Sequence, residues 1–570
     1  MRRTAASFLL IAGFVPVQIA GVASARESSD LSSDQGAALI DQNTLPTAIE
    51  LKGSRPKADP SVLPPAATTL PETLDSLHSP PSLALPNQPD QVRVRELRPL
   101  TLAEAEQLAE VNNPNLKSVA SQVQQAKSSL RASLSSWYPT INLTANGLPQ
   151  YLAGEQQVFD PSRSDTLNTL TGNPQEEARR TNTGVYSANF TTQINWNLID
   201  PGRVPEIAAA RDTFEKTRDT YLIALRELRL STATAYFQLQ QFDQRVNVGQ
   251  QSVRASLISL RDARARYQAG VATKLEVLEA ETQLARDRQT LTDSLNEQIK
   301  SRRVLATILD LPQDVTPTAA SPARIVGVWK PSLQQSIIAA YAFREELDQF
   351  ILDISINNSN ANRALSEVQP VLSIFNNFTT QRFQGEGRVE PPVNDDVYGW
   401  SFDNTFGLSA SWRLFDGGRS RAEYRRNKQR AEASAFDFAT QRGSIRFQVE
   451  ESFYDLRANQ QDIRTSSREV LSATESLRLA RLRFQAGVTT QREVVDNQRD
   501  LTRAQLRYVD SVAAYNISIA ELRRRTGLDQ VAACPTLNLP ADKPADLHRE
   551  QIPIKPSPNL FACEVSEAGS

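Results

Sequence analysis

The sequence predicts a mixed fold: an all-α coiled-coil body joined to a transmembrane β-barrel. Each chain is expected to give four strands to a homotrimeric, twelve-stranded barrel that runs on into a long α-helical tunnel. Three observations lead there. Proline is absent from Glu206 to Leu311, a span centred on a glycine motif with helix-favouring sequence on both sides. Four stretches alternate apolar and polar residues with a period of two. The whole order of elements then occurs a second time.

In order, the chain opens with Arg2 and Arg3, an apolar run from Phe8 to Ala20, and Ala23-Ser24-Ala25. This is the pattern of a cleaved secretory signal over 1–25, and no cysteine follows it that would take a lipid anchor. Residues 26–99 are rich in Pro, Ser, Asp and Gln and read as a disordered, extended leader. From Leu102 through Leu108, Leu116, Val123 and Leu130 to Leu134, apolar residues recur every three or four positions, which predicts one amphipathic helix closed by Pro139. At Thr140 the period changes to two: Ile141, Leu143 and Ala145 alternate with Asn142, Thr144 and Asn146. Residues 149–183 read as a loop. A second strand sets Tyr186, Phe190, Ile194 and Trp196 against Ser187, Asn189, Gln193 and Asn195. Asp200-Pro201-Gly202 ends it, and Pro205 suits a first helical turn. The helix up to Gly270 then spans about 95 Å and needs coiled-coil partners.

The stretch from Arg266 to Glu279 is centred on Gly270 and recurs from Arg483 to Asp496, centred on Gly487. A glycine in such a setting ends a long helix and lets the chain turn back. Upstream, Ser332 to Pro370 aligns with Thr101 to Pro139, and Trp412-Arg413-Leu414-Phe415-Asp416-Gly417-Gly418-Arg419 repeats the junction that begins at Trp196. The third strand starts with Leu372, Ile374 and Phe378, a loop is expected over 380–402, and the fourth strand alternates Phe406, Leu408 and Ala410 with Thr405, Gly407 and Ser409. The expected domains are therefore a first helix-strand-strand-helix repeat over 100–316, a second over 317–528, and a tail over 529–570.

Two readings of the strands compete: exposed hairpins on a soluble body, or a barrel in a membrane. Strand length near ten residues, one apolar face and one Ser/Thr/Asn/Gln face all favour the barrel. So does a girdle of Trp137, Tyr138, Trp196 and Trp412 at the helix-proximal ends. Four strands cannot close, and an open edge is not viable in lipid. Two chains would fill the lumen with side chains, whereas three leave it open, as the hydrated faces require.

Composition narrows the function. The net charge is -2, which gives no electrostatic case for nucleic acid. The only histidines are His78 and His548, and the only cysteines are Cys534 and Cys563, all in terminal segments. The body therefore has no histidine acid–base pair, cysteine nucleophile or Cys/His metal site, and no cofactor is expected. Export to an oxidising compartment makes a Cys534–Cys563 disulfide an open alternative to two free thiols.

The duplicated order, the tips at 266–279 and 483–496, and the Trp-x-Leu-x-Asp-x-Gly-Arg junctions at 196–203 and 412–419 resemble the TolC family of outer-membrane efflux proteins. The resemblance covers about 100–528; the leader and tail look more like cyanobacterial members than enterobacterial ones. It implies a trimeric channel in the outer membrane of a Gram-negative-type bacterium, with a tunnel crossing the periplasm. It also implies a periplasmic membrane-fusion adaptor and an inner-membrane pump of the RND or ABC type as partners. Drugs, small metabolites or type I secreted proteins would be the cargo. In the family the tips form the entrance, and an aspartate, a tyrosine and an arginine help to latch it. Those positions fall on Glu276, Phe484 and Thr489, so the polar partners are replaced here, with Lys274 and Arg492 as nearby cations. Tyr267 stands in the first tip where Phe484 stands in the second. Two constriction acids fall on Glu493 and Asp496, and three chains would ring the opening with six carboxylates. Two other readings are a periplasm-spanning structural protein without a conduit and a hydrolase using the acid pairs Glu276/Glu279 and Glu493/Asp496. No pocket-forming pattern surrounds those pairs, so the chain is not expected to be an enzyme.

Overall fold

The computed structural model describes residues 72–159, 178–389, 393–528 and 531–532. All of them fall in one compact unit, Ala48–Ser570. The signal at 1–25 and both cysteines, Cys534 and Cys563, lie outside the described residues.

The leader joins the fold before it ends. A 3-10 turn, Glu72–Leu77, places Leu74 and Leu77 in the main hydrophobic core, and the buried Asn112 side chain donates to the Leu77 carbonyl at 2.7 Å. Two leucines three residues apart bury one turn even within polar, proline-rich sequence. Strand β1 (Glu96–Leu100) follows, then α1 (Leu102–Asn112), which starts at a capping box between Thr101 and Glu104. The single helix expected up to Leu134 is broken: α2 is Pro114–Leu134, and Asn113 between them is extended, with φ −55° and ψ 122°. Pro114 disfavours helical geometry at the residue before it.

Next come β2 (Thr140–Phe159), β3 (Ala178–Ile199), α3 (Arg203–Gln268) and α4 (Lys274–Ile308). The connector carries β4 (Val315–Ala319), paired in parallel with β1, and β5 (Val328–Trp329). The second repeat is α5 (Leu333–Phe343), α6 (Glu345–Ser366), β6 (Val371–Val389), β7 (Val393–Ser411), α7 (Arg419–Gln485) and α8 (Gln491–Thr526). Strand β8 (Val531–Ala532) closes onto β5. Arg344, between α5 and α6, is extended at the position equivalent to Asn113, so the break belongs to both repeats although only the first has a proline. The long helices differ by one residue, 66 in α3 and 67 in α7.

The four long strands form one antiparallel sheet in the order β2-β3-β6-β7, with β2 and β7 as unpaired edges. They are 19 to 22 residues long, about twice the expected length. The loops expected over 149–183 and 380–402 are strand as far as Phe159 and Val389 and again from Ala178 and Val393. The pairing aligns the alternation of all four strands. Ile141, Ile194, Asn376 and Phe406 share a row, as do Trp196, Ile374 and Leu408, all on one face. Thr144, Thr191, Thr379 and Asp403 share a row on the other, where the Thr191 and Thr379 hydroxyls lie 3.2 Å apart. Two aromatics interrupt that polar face. Phe375 and Phe383 lie opposite Gly407 and Gly399, and a Cβ on Gly399 would come within 2.7 Å of the Phe383 ring.

Where sheet meets helix, the same bond occurs twice. The Trp196 indole N–H donates to the Trp137 carbonyl and the Trp412 indole to the Val368 carbonyl, both at 3.0 Å. Val368 is the second-repeat counterpart of Trp137. The Arg203 guanidinium also lies 4.3 Å over the Trp137 ring. Trp137, Trp196 and Trp412 are exposed, and Tyr138 is more so.

Candidate functional site at the hairpin tips

Each tip is a helix stop followed directly by a restart. In the first, Gly270 takes φ +75°, its N–H donates to the Tyr267 carbonyl at 3.0 Å, and the Val271 N–H reaches the Arg266 carbonyl at 3.0 Å. In the second, Gly487 takes φ +73°, its N–H reaches Phe484 at 3.0 Å, and the Val488 N–H reaches Arg483 at 2.9 Å. This left-handed stop satisfies the last carbonyls of a helix and suits glycine best, because it has no Cβ. Below the tips, Leu260, Ala263, Ala280 and Leu284 pack α3 on α4, and Val470, Leu477, Val494 and Leu501 pack α7 on α8.

The polar residues of the two tips are wired differently. Thr273 and Glu276 form a capping box that starts α4, with Glu276 accepting from the Thr273 backbone at 3.3 Å. Glu276 is thus engaged within its own turn. Lys274 is exposed, and no ion pair reaches it among the described residues. In the second tip Thr490 makes no side-chain cap. Glu493 instead pairs with Arg483 at 2.8 Å and accepts from the Thr489 hydroxyl. Asp496 pairs with Arg499 at 3.0 Å.

Three contacts join the tips. The Arg266 guanidinium lies 4.3 Å over the Phe484 ring. Arg492 approaches Glu279, not Glu276, at 4.0 Å. Gln491, only 2% exposed, donates to the Ser259 hydroxyl. Tyr267, the counterpart of Phe484, is half exposed. Beside these contacts the two hairpins leave a cleft of about 560 Å³, lined by Arg254, Ile258, Arg481, Phe484 and Val495 among others. Arg266, Arg483 and Glu279 complete the wiring. The tip motif contains all three, but only folding shows which partner each arginine takes.

Away from the tips, ion pairs join the repeats, the buried Arg226–Glu345 and the Arg524–Glu227 pair with its exposed carboxylate among them. Arg226 pairs with Glu345 at 2.6 Å, and Arg524 pairs with Glu346 at 2.8 Å and Glu227 at 3.0 Å. Burial pushes the Glu346 carboxyl up, but the bonds and charges of Arg344 and Arg524 prevail and hold it at about 2. Asp219 on α3 is raised to about 7, first by burial and then by Asp348, Glu345 and Glu215.

A duplicated hairpin body hung from a one-faced sheet matches the outer membrane efflux protein family model over residues 106–310 and 339–528. The chain belongs to this family. As a family member it is an outer-membrane channel protein with a periplasmic tunnel and is not an enzyme. Among solved structures, the outer-membrane channel OprN is 17% identical, with TM-score 0.59 over 81% of this chain and 99% of that one. VceC of Vibrio cholerae is 14% identical, with TM-score 0.57 over 75% and 96%. MtrE of Neisseria gonorrhoeae, solved in its open state, is 15% identical, with TM-score 0.55 over 81% and 98%. These share the fold of the efflux protein. A curated relative, Nodulation protein T of Rhizobium leguminosarum bv. viciae, is 22% identical over 280 residues, 48% of this chain; the match spans about half, 55%, of that relative's length.

Proposed function

We propose that three copies of this chain close a twelve-stranded barrel in the outer membrane and form a passive export conduit, with the Gly270 and Gly487 tips at its periplasmic entrance. One observation carries the reading: the register gathers the apolar alternation of four strands onto one face of a sheet whose two edges are open. Such a sheet is viable in lipid only when other copies pair its edges. The aromatic rows fit the span. Trp196 marks one row, and Tyr186, with Tyr151 beside it at 4.8 Å, marks the other. The strand between them covers roughly 25 Å along the barrel axis, the height of a barrel's apolar band. Strand residues beyond Tyr186 then continue past the lipid.

The conduit performs no chemistry, so an inner-membrane pump of the RND or ABC class supplies the energy through a periplasmic adaptor. Its cargo is drugs and small metabolites or a type I secreted protein. At the tip, Arg266–Phe484, Arg492–Glu279 and Gln491–Ser259 hold the two hairpins of one chain together, and opening requires their separation. Glu493 and Asp496 face the constriction already paired with Arg483 and Arg499. The carboxylate ring therefore selects cations less strongly than six bare acids would.

The test is a planar-bilayer recording of the purified protein with a mass measurement in detergent. A trimer with discrete conductance steps is expected; a monomer, or a trimer that never conducts, overturns the conduit and favours a structural role. Deleting the gene then separates cargoes: drug sensitivity indicates efflux, and loss of one secreted protein indicates type I secretion.

A further inference from the structure

A small cavity, about 40 Å³, opens between α1, α3 and α8, far along the chain from the tips. Arg226 and Arg229 of α3, Arg523 and Arg524 of α8, and Glu106 of α1 line it. Four cations thus meet one carboxylate, and Glu106 already lies 3.8 Å from Arg523. Each of the other three arginines has an acidic partner outside the cavity: Glu345 for Arg226, Glu110 for Arg229, and Glu346 and Glu227 for Arg524. Those partners do not exhaust the donors, since a guanidinium carries five N–H groups. Arg226 and Arg524 are both more than nine-tenths buried, and the Nη1 of each has no hydrogen-bond partner. Glu345 Oε2 is unpartnered too, but Glu345 does not line the cavity.

Buried cationic donors without acceptors are costly, and native structures satisfy them with protein, water or ions. The space is of the order of one small ion or a few waters. Gly527 leaves room beside this group, because a Cβ there would sit 3.0 Å from Phe343 Cβ and 3.2 Å from Arg226 Nη1. Burial pushes the Arg226 pKa down against the pull of Glu345 and Glu346, with Arg524 and Arg344 adding smaller effects in the same direction as burial, whereas Glu346 and Glu227 outweigh burial at Arg524 and raise it. We propose that this cavity is a binding site for a small inorganic anion, chloride or phosphate, that ties the first repeat to the second. The site lies within one chain and does not depend on the conduit reading.

The test is thermal unfolding of the detergent-solubilised full chain in sodium gluconate, titrated at constant ionic strength with sodium chloride, sodium bromide or sodium phosphate. A saturable rise in unfolding temperature is expected, and the salt with the lower half-saturation identifies the anion. Arg523→Gln should weaken the half-saturation about tenfold, and Glu106→Gln, which removes the competing carboxylate, should strengthen it. Crystals grown in bromide should show an anomalous peak within hydrogen-bond reach of Arg226 or Arg524. Equal behaviour in all salts including gluconate, or an affinity that falls in both variants, overturns the site.

Discussion

The two tips share a backbone and differ in wiring. Arg266 and Arg483 are equivalent residues, as are Tyr267 and Phe484, and Glu276 and Glu493. In the first tip the acid caps its own helix, and the arginine reaches across to the ring of the second. In the second tip the arginine is held by its own acid, and the ring is the one that receives. The turn geometry is thus fixed by glycine and main-chain bonds, which leaves the side chains free to diverge. The first hairpin projects Arg266 onto the second, and the second returns Arg492 to Glu279 and Gln491 to Ser259.

Substitutions can break or sharpen that contrast. Phe484→Ala removes a partly buried ring and its cation–π contact and should destabilise the second tip by about 3 kcal/mol, whereas Tyr267→Ala should cost well under about 1 kcal/mol. Hydrogen exchange of the two tips measures both, and equal losses would contradict the asymmetry. The repeats also differ at Asp219, because the matching stretch of α7 carries Ala435 and Phe436. With its pKa raised to about 7, chiefly by burial, Asp219 is protonated in the fold below about pH 7. Its stabilising contribution is present at low pH and is lost as pH rises through about 7. Unfolding at pH 5.5 and 8.5 should differ by on the order of 2 kcal/mol, discounted for partial exposure, and Asp219→Asn should flatten the difference. Gly270→Ala and Gly487→Ala should each cost about 1–2 kcal/mol, and equally, because both residues are left-handed. Thr273→Ala should cost about 1 kcal/mol and Thr490→Ala only about a few tenths, since only Thr273 makes a side-chain cap. The smallest effect is electrical: Arg483→Gln frees Glu493 and should raise cation selectivity in a planar bilayer.

Much of this was legible in the sequence where a residue type has one strong use. Gly270 and Gly487 placed the tips, and proline-free, helix-favouring sequence around each glycine placed the long helices. The strands were found at their helix-proximal ends and missed further out, in β2 and β3 where the alternation turns polar, and in β7 even though Tyr398, Trp400 and Phe402 alternate with Gly399 and Ser401. Beyond Tyr151 and Tyr186 the alternation gives way to stretches such as Glu155-Gln156-Gln157 and Arg179-Arg180-Thr181, so pairing continues in residues that read as loop. Leu74 and Leu77 were hidden by polar, proline-rich neighbours. Pro114 was readable as a break and was overridden by the apolar period around it. Phe375 and Phe383 sit on the polar face because the glycines opposite leave room for rings, a cross-strand relation invisible along one strand. The tip partners were out of reach for the same reason: Arg266 and Phe484 meet only after two hairpins have packed.

The extra residue in α7 has a mechanical consequence. Both long helices start at matched Trp–carbonyl junctions and stop at matched glycines, with one more residue between them in the second repeat. An added residue advances an ideal helix by about 100° and 1.5 Å. Over about 18 turns that phase error is removed by a change of roughly 5–6° per turn, the size of adjustment that supercoiling supplies. The two halves of the chain thus enter their tips with one residue of difference, which equal end faces would absorb as a small difference in winding.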